Sequence, residues 1–468
     1  MLNNLPNEIE PLKALIHEVC GENELLKAEN ERLKAEVAEL RRRLGLESTN
    51  SHKPPSSDGL KKKPIKPALP KKEGRSNGGQ PGHQGKTLRR VENPDRIEVH
   101  LPSQCQCCGR VFSSADEHRI VGSRQVFDLS EPKLEVVEHR VGQVECCGIG
   151  QEGSYPEEVK GPVQYGPGVQ ALVTLLSVDH KMPMEQISQL FEDLYGYNLN
   201  SATVQESLES CYEKAVPLEE ASKERLLEEP VVHFDETGIR VAGKLYWLHT
   251  AMTAHDTHIF VHEKRGQEAL NGADSVIKDF TGTAVHDCWA PYFKYTGARH
   301  VLCGAHLLRE LKGLQENGSQ WAGEMHKFLM ELYEMPQAVA AEEAVRQRYQ
   351  TILEHAEGEE PLPTATPGKR GRAKQSPGRN LLDRLRAYED GVLAFALEAG
   401  VPFTNNQAER DLRPAKVKLK VSGGFRTVGG ARVFARLQAV ISTFRKQGDN
   451  IFARLQKLFA STPVVAEQ

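Results

Sequence analysis

Apolar residues recur every seven positions through the first stretch of the chain. Leu12, Val19, Leu26, Leu33 and Leu40 form one seam, and Ile9, Ile16, Val37 and Leu44 fill alternate positions beside it. This double seam predicts a coiled coil over residues 5–46, with a single amphipathic helix lying on its own domain as the alternative. Asn23 and Asn30 occupy the alternate seam. In parallel dimers such polar layers fix register and strand number at some cost in stability. From Gly166 to about Leu227 the spacing is again helical, in GPGVQALVTLLSV, MPMEQISQLFEDLYG and SATVQESLESCYEKA, the last with Ser201 as its N-cap. The second and third of these, separated by YGYNLN, have the form of a helix-turn-helix, which serves either DNA reading or ordinary helical packing.

After Pro230 the pattern shortens into β-rich runs: VVHFDETGIRV, KLYWLHTAMT, THIFVHEK, TGTAVHDCW and ARHVLCGAH. A helix is expected near Gly266–Leu270 and another after the fifth run. Three meandering strands followed by helix, strand, helix and strand give the order of a ribonuclease-H-like sheet. Helical stretches from Trp321 to His355 and from Asn380 to Ala399 then form an insertion around GEEPLPTATPGKRGRAKQSPGRN, a basic loop expected near a polyanion. An amphipathic helix over Ala431–Lys446 would close the core.

The predicted protein is therefore multidomain α+β. Residues 1–48 form a dimerising coiled coil, 49–95 a basic flexible linker, 96–160 a small zinc-ribbon-like module and 161–228 a helical region. Residues 229–447 form the α/β domain, with the insertion at about 316–400, and 448–468 a C-terminal helix and tail.

Composition sharpens this picture only through its distribution. The 468 residues are 39% hydrophobic, enough for a substantial core, and the formal charge is only −4. Yet His52–Arg90 holds 11 Lys and Arg against 2 acids, and Asp411–Gly448 holds 9 against 1. Both stretches can neutralise phosphates without reading sequence. The first, HKPPSSDGLKKKPIKPALPKKEGRSNGGQPGHQGK, carries too much Pro, Gly and Lys to form a core. The N-terminal stretch carries Glu8 and Glu10 rather than a targeting signal, and no window reaches the length of about 18 apolar residues that a membrane span needs. A cytoplasmic protein is expected. Nine cysteines, mostly close neighbours in sequence, suggest metal rather than disulfides in a reducing compartment.

LPSQCQCCGRVF and VECCGIG resemble two zinc knuckles, each with a cysteine before a glycine. Cys105 and Cys108 have C-x-x-C spacing, with Cys107 a bystander. The second knuckle is irregular, because Val144 stands where a cysteine would complete the spacing with Cys147. The remaining ligand is then Cys146 or His139, and free buried thiols are the alternative to zinc throughout. The intervening EHRIVGSRQVFDLSEPKLEVVEHRVGQV alternates like paired strands.

Asp235 is expected to end the first β run of the α/β domain and Asp287 the fourth, 52 residues apart. On neighbouring strands they repel unless a cation lies between them, and magnesium suits such oxygens. A second ion needs a third carboxylate. Glu409, in FTNNQAERDLRP, is one candidate, set among Asn405, Asn406, Arg410 and Arg413. Its alternative role is in a capping box with Asn406. Glu310 is the rival acid. His306 and Arg309 share its helical face, as contacts to a phosphate or as surface ion-pairing residues.

HFDETGIRV, AVHDCWAPY, CGAHLLREL and TNNQAERDLRP, preceded by KPPSSDG, GGQPGHQGK and the cysteine pairs, resemble the insertion-sequence-66 family of bacterial DDE transposases over nearly the whole chain. The resemblance implies a ribonuclease-H-like catalytic domain with Asp235, Asp287 and Glu409 as the acidic triad, behind a coiled coil and a zinc-binding module. It favours Glu409 over Glu310. Two Mg2+ or Mn2+ ions are expected at the triad, and a structural Zn2+ on Cys105, Cys108, Cys146 and Cys147. His306, Arg309, Arg410 and Arg413 become candidates for phosphate contact. The implied partners are element-end and target DNA, a second copy of the chain at least, and accessory proteins of the same element, all at the nucleoid. The expected reaction is hydrolysis at the 3′ end of the element, followed by attack of the freed 3′ hydroxyl on target DNA. A nuclease of the same fold without strand transfer, and a non-catalytic DNA-binding regulator, are the alternatives.

Overall fold

In the computed structural model, residues 9–44, 88–113, 115–147, 149–334, 342–363, 373 and 375–460 are described. Most of the basic linker, the centre of the basic loop in the insertion and the C-terminal tail lie outside them. The described residues fall into two units divided between Glu138 and His139. The boundary cuts the stretch expected to be one zinc-ribbon-like module.

The heptad stretch is one helix, α1 (Ile9–Leu44). Its seam residues Ile16, Val19, Leu26, Leu33 and Val37 are exposed, so nothing in the described chain covers them. The described residues between 88 and 138 contain no strand beyond a single bridge between Gln104 and Val111. The alternating stretch between the cysteine pairs therefore does not form the expected ribbon. Pairing is confined to β1 (Gln143–Cys146) and β2 (Ile149–Glu152), an antiparallel hairpin around the second pair. Alternation makes a strand only where a neighbour supplies hydrogen bonds, and here the short turn at Cys147 (φ +56°) supplies one.

The helical region is α2 (Pro167–Thr174), continued by a π-helical turn at Leu175–Asp179, then α3 (Met184–Tyr195), α4 (Ser201–Lys214) and α5 (Val216–Glu228). The cap of α4 is Asn200 rather than Ser201: its side chain accepts from the amide of Ala202 at 2.9 Å. All five β runs form strands: β3 (Val231–Val241), β4 (Lys244–Met252), β5 (Thr257–His262), β6 (Thr283–His286) and β7 (Arg299–Leu302). The sheet order is β5-β4-β3-β6-β7. β3, β4 and β5 are antiparallel, whereas β6 and β7 run parallel to β3. The short α6 (Gln267–Leu270) precedes β6, and α7 (Gly304–Glu316) follows β7.

The insertion comprises α8 (Gln320–Glu334), α9 (Glu342–Glu359), α10 (Pro377–Ala387) and α11 (Glu389–Leu397). It is built around its own apolar cluster, centred on Trp321, Phe328 and Tyr349 and continuous with Leu307 and Leu311 of α7. The chain returns to the sheet through α12 (Asn406–Ser422), α13 (Val428–Lys446) and α14 (Ile451–Ala460). These pack with α2–α4 and with β3, β4 and β5 in the largest cluster. The fold is mixed α/β, a five-stranded sheet among many helices. No described helix is long and apolar enough to cross a membrane.

Candidate functional site

Pairing along the edge of the sheet decides where the first acid stands. β6 pairs with β3 only at Val231, Val232 and His233, whereas β3 stays paired with β4 as far as Val241. Asp235 therefore lies mid-strand, just beyond the point where the parallel neighbour stops, and does not end its strand as its sequence suggested. Asp287 follows the last residue of β6 directly. Its Oδ1 accepts from the amide of Trp289 at 3.0 Å, which bends the chain away from the sheet. The two acids thus face one gap at the carboxyl ends of the parallel strands.

Successive residues of a strand point to opposite faces. His233 and Asp235 face α12. Glu236 faces the other way, its side chain fully buried. It binds the Arg265 guanidinium through Nε at 2.8 Å and also through Nη2, and it accepts from Tyr292 Oη at 2.7 Å. Arg265 lies between the rings of Trp247 and Trp289, 5.0 and 4.4 Å from their centroids. Even so, burial and the charge of Asp287 push the Glu236 carboxyl up to about 7. The Asp235 carboxyl is held well above the ordinary range, first by burial, then by the charges of Glu236, Asp287 and Glu409.

The third of those charges arrives on α12. Glu409 lies in its first turn and bonds Arg309 Nη2 at 2.9 Å, with His306 Nε2 3.9 Å away. Arg309 and His306 project from α7, where Arg309 Nε also donates to the carbonyl of Ala305. Three sequence-predicted residues thus meet in one cluster, although the arginine holds an acid in place of a phosphate. Glu310, the rival third acid, instead pairs with Arg384 of α10. Arg410 and Arg413 are exposed on the outer side of α12.

The capping box does not form. The N-cap of α12 is Asn405, whose side chain makes no cap bond, and Asn406 is the first helical residue. Further along, the ammonium of Lys416 donates to the carbonyl of Gly238 at 3.3 Å and lies within the field of Asp235. Asp411 fixes the helix from its inner side, paired with Lys446 at 2.5 Å and accepting from Thr257 Oγ1 at 3.0 Å. At the other end of the cluster, the amide of Gly304 donates to the carbonyl of Phe403 at 2.8 Å. A Cβ on Gly304 would lie 2.1 Å from the Phe403 ring, so only glycine lets α7 start this close to the approach to α12.

Sequence reasoning did not assign roles to Glu236, Arg265, Tyr292 or Lys416. The signal for Glu236 was its adjacency to Asp235: in a strand one of two neighbouring acids must enter the opposite face, where it needs a cation.

Among the described residues, no three His, Cys, Asp or Glu side chains stand close enough together to hold a metal ion as they are. At the first cysteine pair, the amide of Cys105 donates to the carbonyl of Arg110, and Gly109 (φ +72°) turns its own amide back onto the Cys105 carbonyl. Backbone amides of Cys108 and Cys107 hold the Cys105 thiol below its ordinary range. At the second pair the sulfurs of Cys146 and Cys147 are 3.7 Å apart.

Comparison with known families gives two matches. Residues 2–89 match a family of unknown function. No curated protein matches the chain. Residues 162–433, more than half of the chain and including all of β3–β7 and α12, match the Transposase IS66 family, and to that family this protein belongs.

Proposed function

We propose that this transposase cleaves DNA at the ends of its element and joins the freed 3′ hydroxyl to target DNA, with Asp235, Asp287 and Glu409 as the carboxylates of a ribonuclease-H-like catalytic domain. One observation carries the reading: side chains 52 and 174 residues downstream of Asp235 bring negative charge to it, at the edge where the parallel strands end. The strand order, three antiparallel strands with two parallel ones on the far side of the first, supports the domain assignment.

The donor set suits divalent cations. It consists of hard carboxylate oxygens, and beside burial the charges of Glu236, Asp287 and Glu409 raise Asp235. Asp235, Asp287 and Glu409 would hold Mg2+ or Mn2+, two ions in the full complement, which supply Lewis-acid stabilisation of charge on the phosphodiester. The chain itself orients the substrate. Arg309 and His306 are placed to take a phosphate oxygen beside Glu409. Arg410 and Arg413 are exposed next to it for flanking phosphates. In the first step water attacks phosphorus, and the bond to the 3′ oxygen breaks. In the second, that hydroxyl attacks a target phosphate, one P–O bond forming as another breaks.

A second copy of the chain is the partner proposed for the exposed seam of α1, so that two element ends are handled together at the nucleoid, with or without accessory proteins. Cys105 and Cys108 are proposed to bind a structural zinc ion. The inward-turned amides and lowered thiol at Cys105 support this. Elemental analysis of purified protein should find about one zinc per chain, lost in Cys105→Ser and Cys108→Ser. A zinc-free wild-type protein would remove this part of the reading.

The whole reading is tested with element-end DNA, a target plasmid and magnesium. Cleavage followed by joining is expected. Cleavage without joining would indicate a nuclease of the same fold, and metal-independent binding without cleavage a regulator.

A further inference from the structure

We propose that Asn405 is a positioning residue that sets Glu409 against Asp235, an inference that rests on the catalytic reading above. An asparagine before the first turn of a helix ordinarily turns its side chain onto the helix amides. Asn405 does not, although its carbonyl accepts the first helical bond, from the amide of Glu409 at 3.3 Å. Its carboxamide turns into the protein and is 1% exposed.

There it joins three elements. Nδ2 donates to the carbonyl of Phe234 at 2.7 Å, one residue before Asp235 on β3. Oδ1 lies 2.8 Å from His233 Nδ1 on the same strand. The backbone amide donates to Cys303 Sγ at 3.1 Å, at the corner between β7 and the helix that carries His306 and Arg309. The Phe234 carbonyl can only accept, so the amide nitrogen must face it and the oxygen must face His233, whose Nδ1 therefore carries the proton. One rotamer satisfies all of these contacts. It fixes the first turn of α12, and with it Glu409 one turn later, to the strand that carries Asp235.

Asn405 is too deep to touch DNA, so it acts on the reaction only through the placement of Glu409. Misplacing a catalytic group by about 1 Å costs roughly 10²-fold in rate.

The test uses the full-length protein with Asn405→Leu, which keeps the size and removes the hydrogen bonds. Should that variant not fold, His233→Phe removes only the contact at Oδ1. Folded fraction is measured first by circular dichroism. Turnover, DNA affinity and calorimetric Mn2+ binding to DNA-free protein are then compared per folded molecule. The expected result for Asn405→Leu is a turnover lowered about 10²-fold and Mn2+ affinity weakened about tenfold or more. DNA affinity should stay within about twofold, because its phosphate contacts lie elsewhere. His233→Phe should shift the same two readouts less. Wild-type turnover and Mn2+ affinity in a folded variant would reduce Asn405 to a purely structural residue and overturn the proposal. So would a loss of DNA affinity as large as the loss of turnover. If Asp235→Asn and Glu409→Gln themselves keep cleavage and Mn2+ binding, the carboxylate reading fails and takes this inference with it. If those two lose both while Asn405→Leu keeps both, only this inference fails.

Discussion

Asp235→Asn, Asp287→Asn and Glu409→Gln should each lower strand cleavage by roughly 10³-fold or more, the rate equivalent of the several kcal/mol that metal-held carboxylates contribute to a phosphoryl transition state. DNA affinity should be unchanged or slightly tighter, since each change removes negative charge beside a phosphate track. Asp235→Asn should at the same time stabilise the metal-free protein. Burial and three neighbouring acids raise its carboxyl above the ordinary value, so the folded state binds a proton more readily than the unfolded chain. Stability is then lost as pH rises from about 4, the usual carboxylate value, through the raised folded value. Glu236 adds to the same slope between its ordinary value of 4.5 and about 7. In urea titrations without added divalent ions, wild type should be weaker at pH 8 than at pH 5.5. Asp235→Asn should recover part of the difference. A variant that loses cleavage without gaining stability would mean that Asp235 is not held among uncompensated charges. Stability traded for a charged site is the ordinary cost of catalysis.

Much of the fold was legible because its elements are locally specified. Each of the five strands carries β-branched residues in a short run, joined by Phe, Tyr or Trp in β3–β5, and each formed at its predicted place. The two helical stretches expected in the insertion are four helices, α8 and α9 in the first and α10 and α11 in the second. What the sequence did not reveal depends on which neighbours meet. Asp235 was misread as ending its strand because nothing in HFDETG marks where β6 stops pairing. Two adjacent asparagines stand at the start of α12, and the acceptor that selects Asn405 belongs to a strand 171 residues away. The stretch before β1 has the alternation of a ribbon but no partner to pair with, and remains without strands among the described residues. Of the candidate site, the three acids and the two α7 residues were named from the sequence, on a strand end, a following helix turn and a family resemblance. Their mutual pairing was not, because an arginine beside two glutamates carries no sequence mark of which one it will hold.

That choice has a consequence of its own. Arg309 binds Glu409 and leaves Glu310 to Arg384. With the carboxylate so engaged, the described residues offer no three-ligand cluster, although the charge of Glu409 still reaches Asp235. The pair is partly buried, its side chains 22% and 31% exposed, so it is worth more than a surface ion pair but is not sealed from solvent. A phosphate offers the same guanidinium a bidentate partner of higher charge. Entry of DNA would therefore draw Arg309 from Glu409 and release the acid toward Asp235 and Asp287 as the scissile phosphate arrives. Arg309→Gln should accordingly separate two quantities that the triad variants lower together. Calorimetry on DNA-free protein should show Mn2+ binding tightened several-fold, up to about tenfold, because a competing ion pair of about 1 kcal/mol has been removed. Cleavage should fall roughly 10²-fold, because the phosphate loses a charged donor. Lys at the same position should restore part of the rate as a point charge, without the forked geometry. If Arg309→Gln instead weakens Mn2+ binding, the guanidinium holds Glu409 in its working position and is not a placeholder for the substrate.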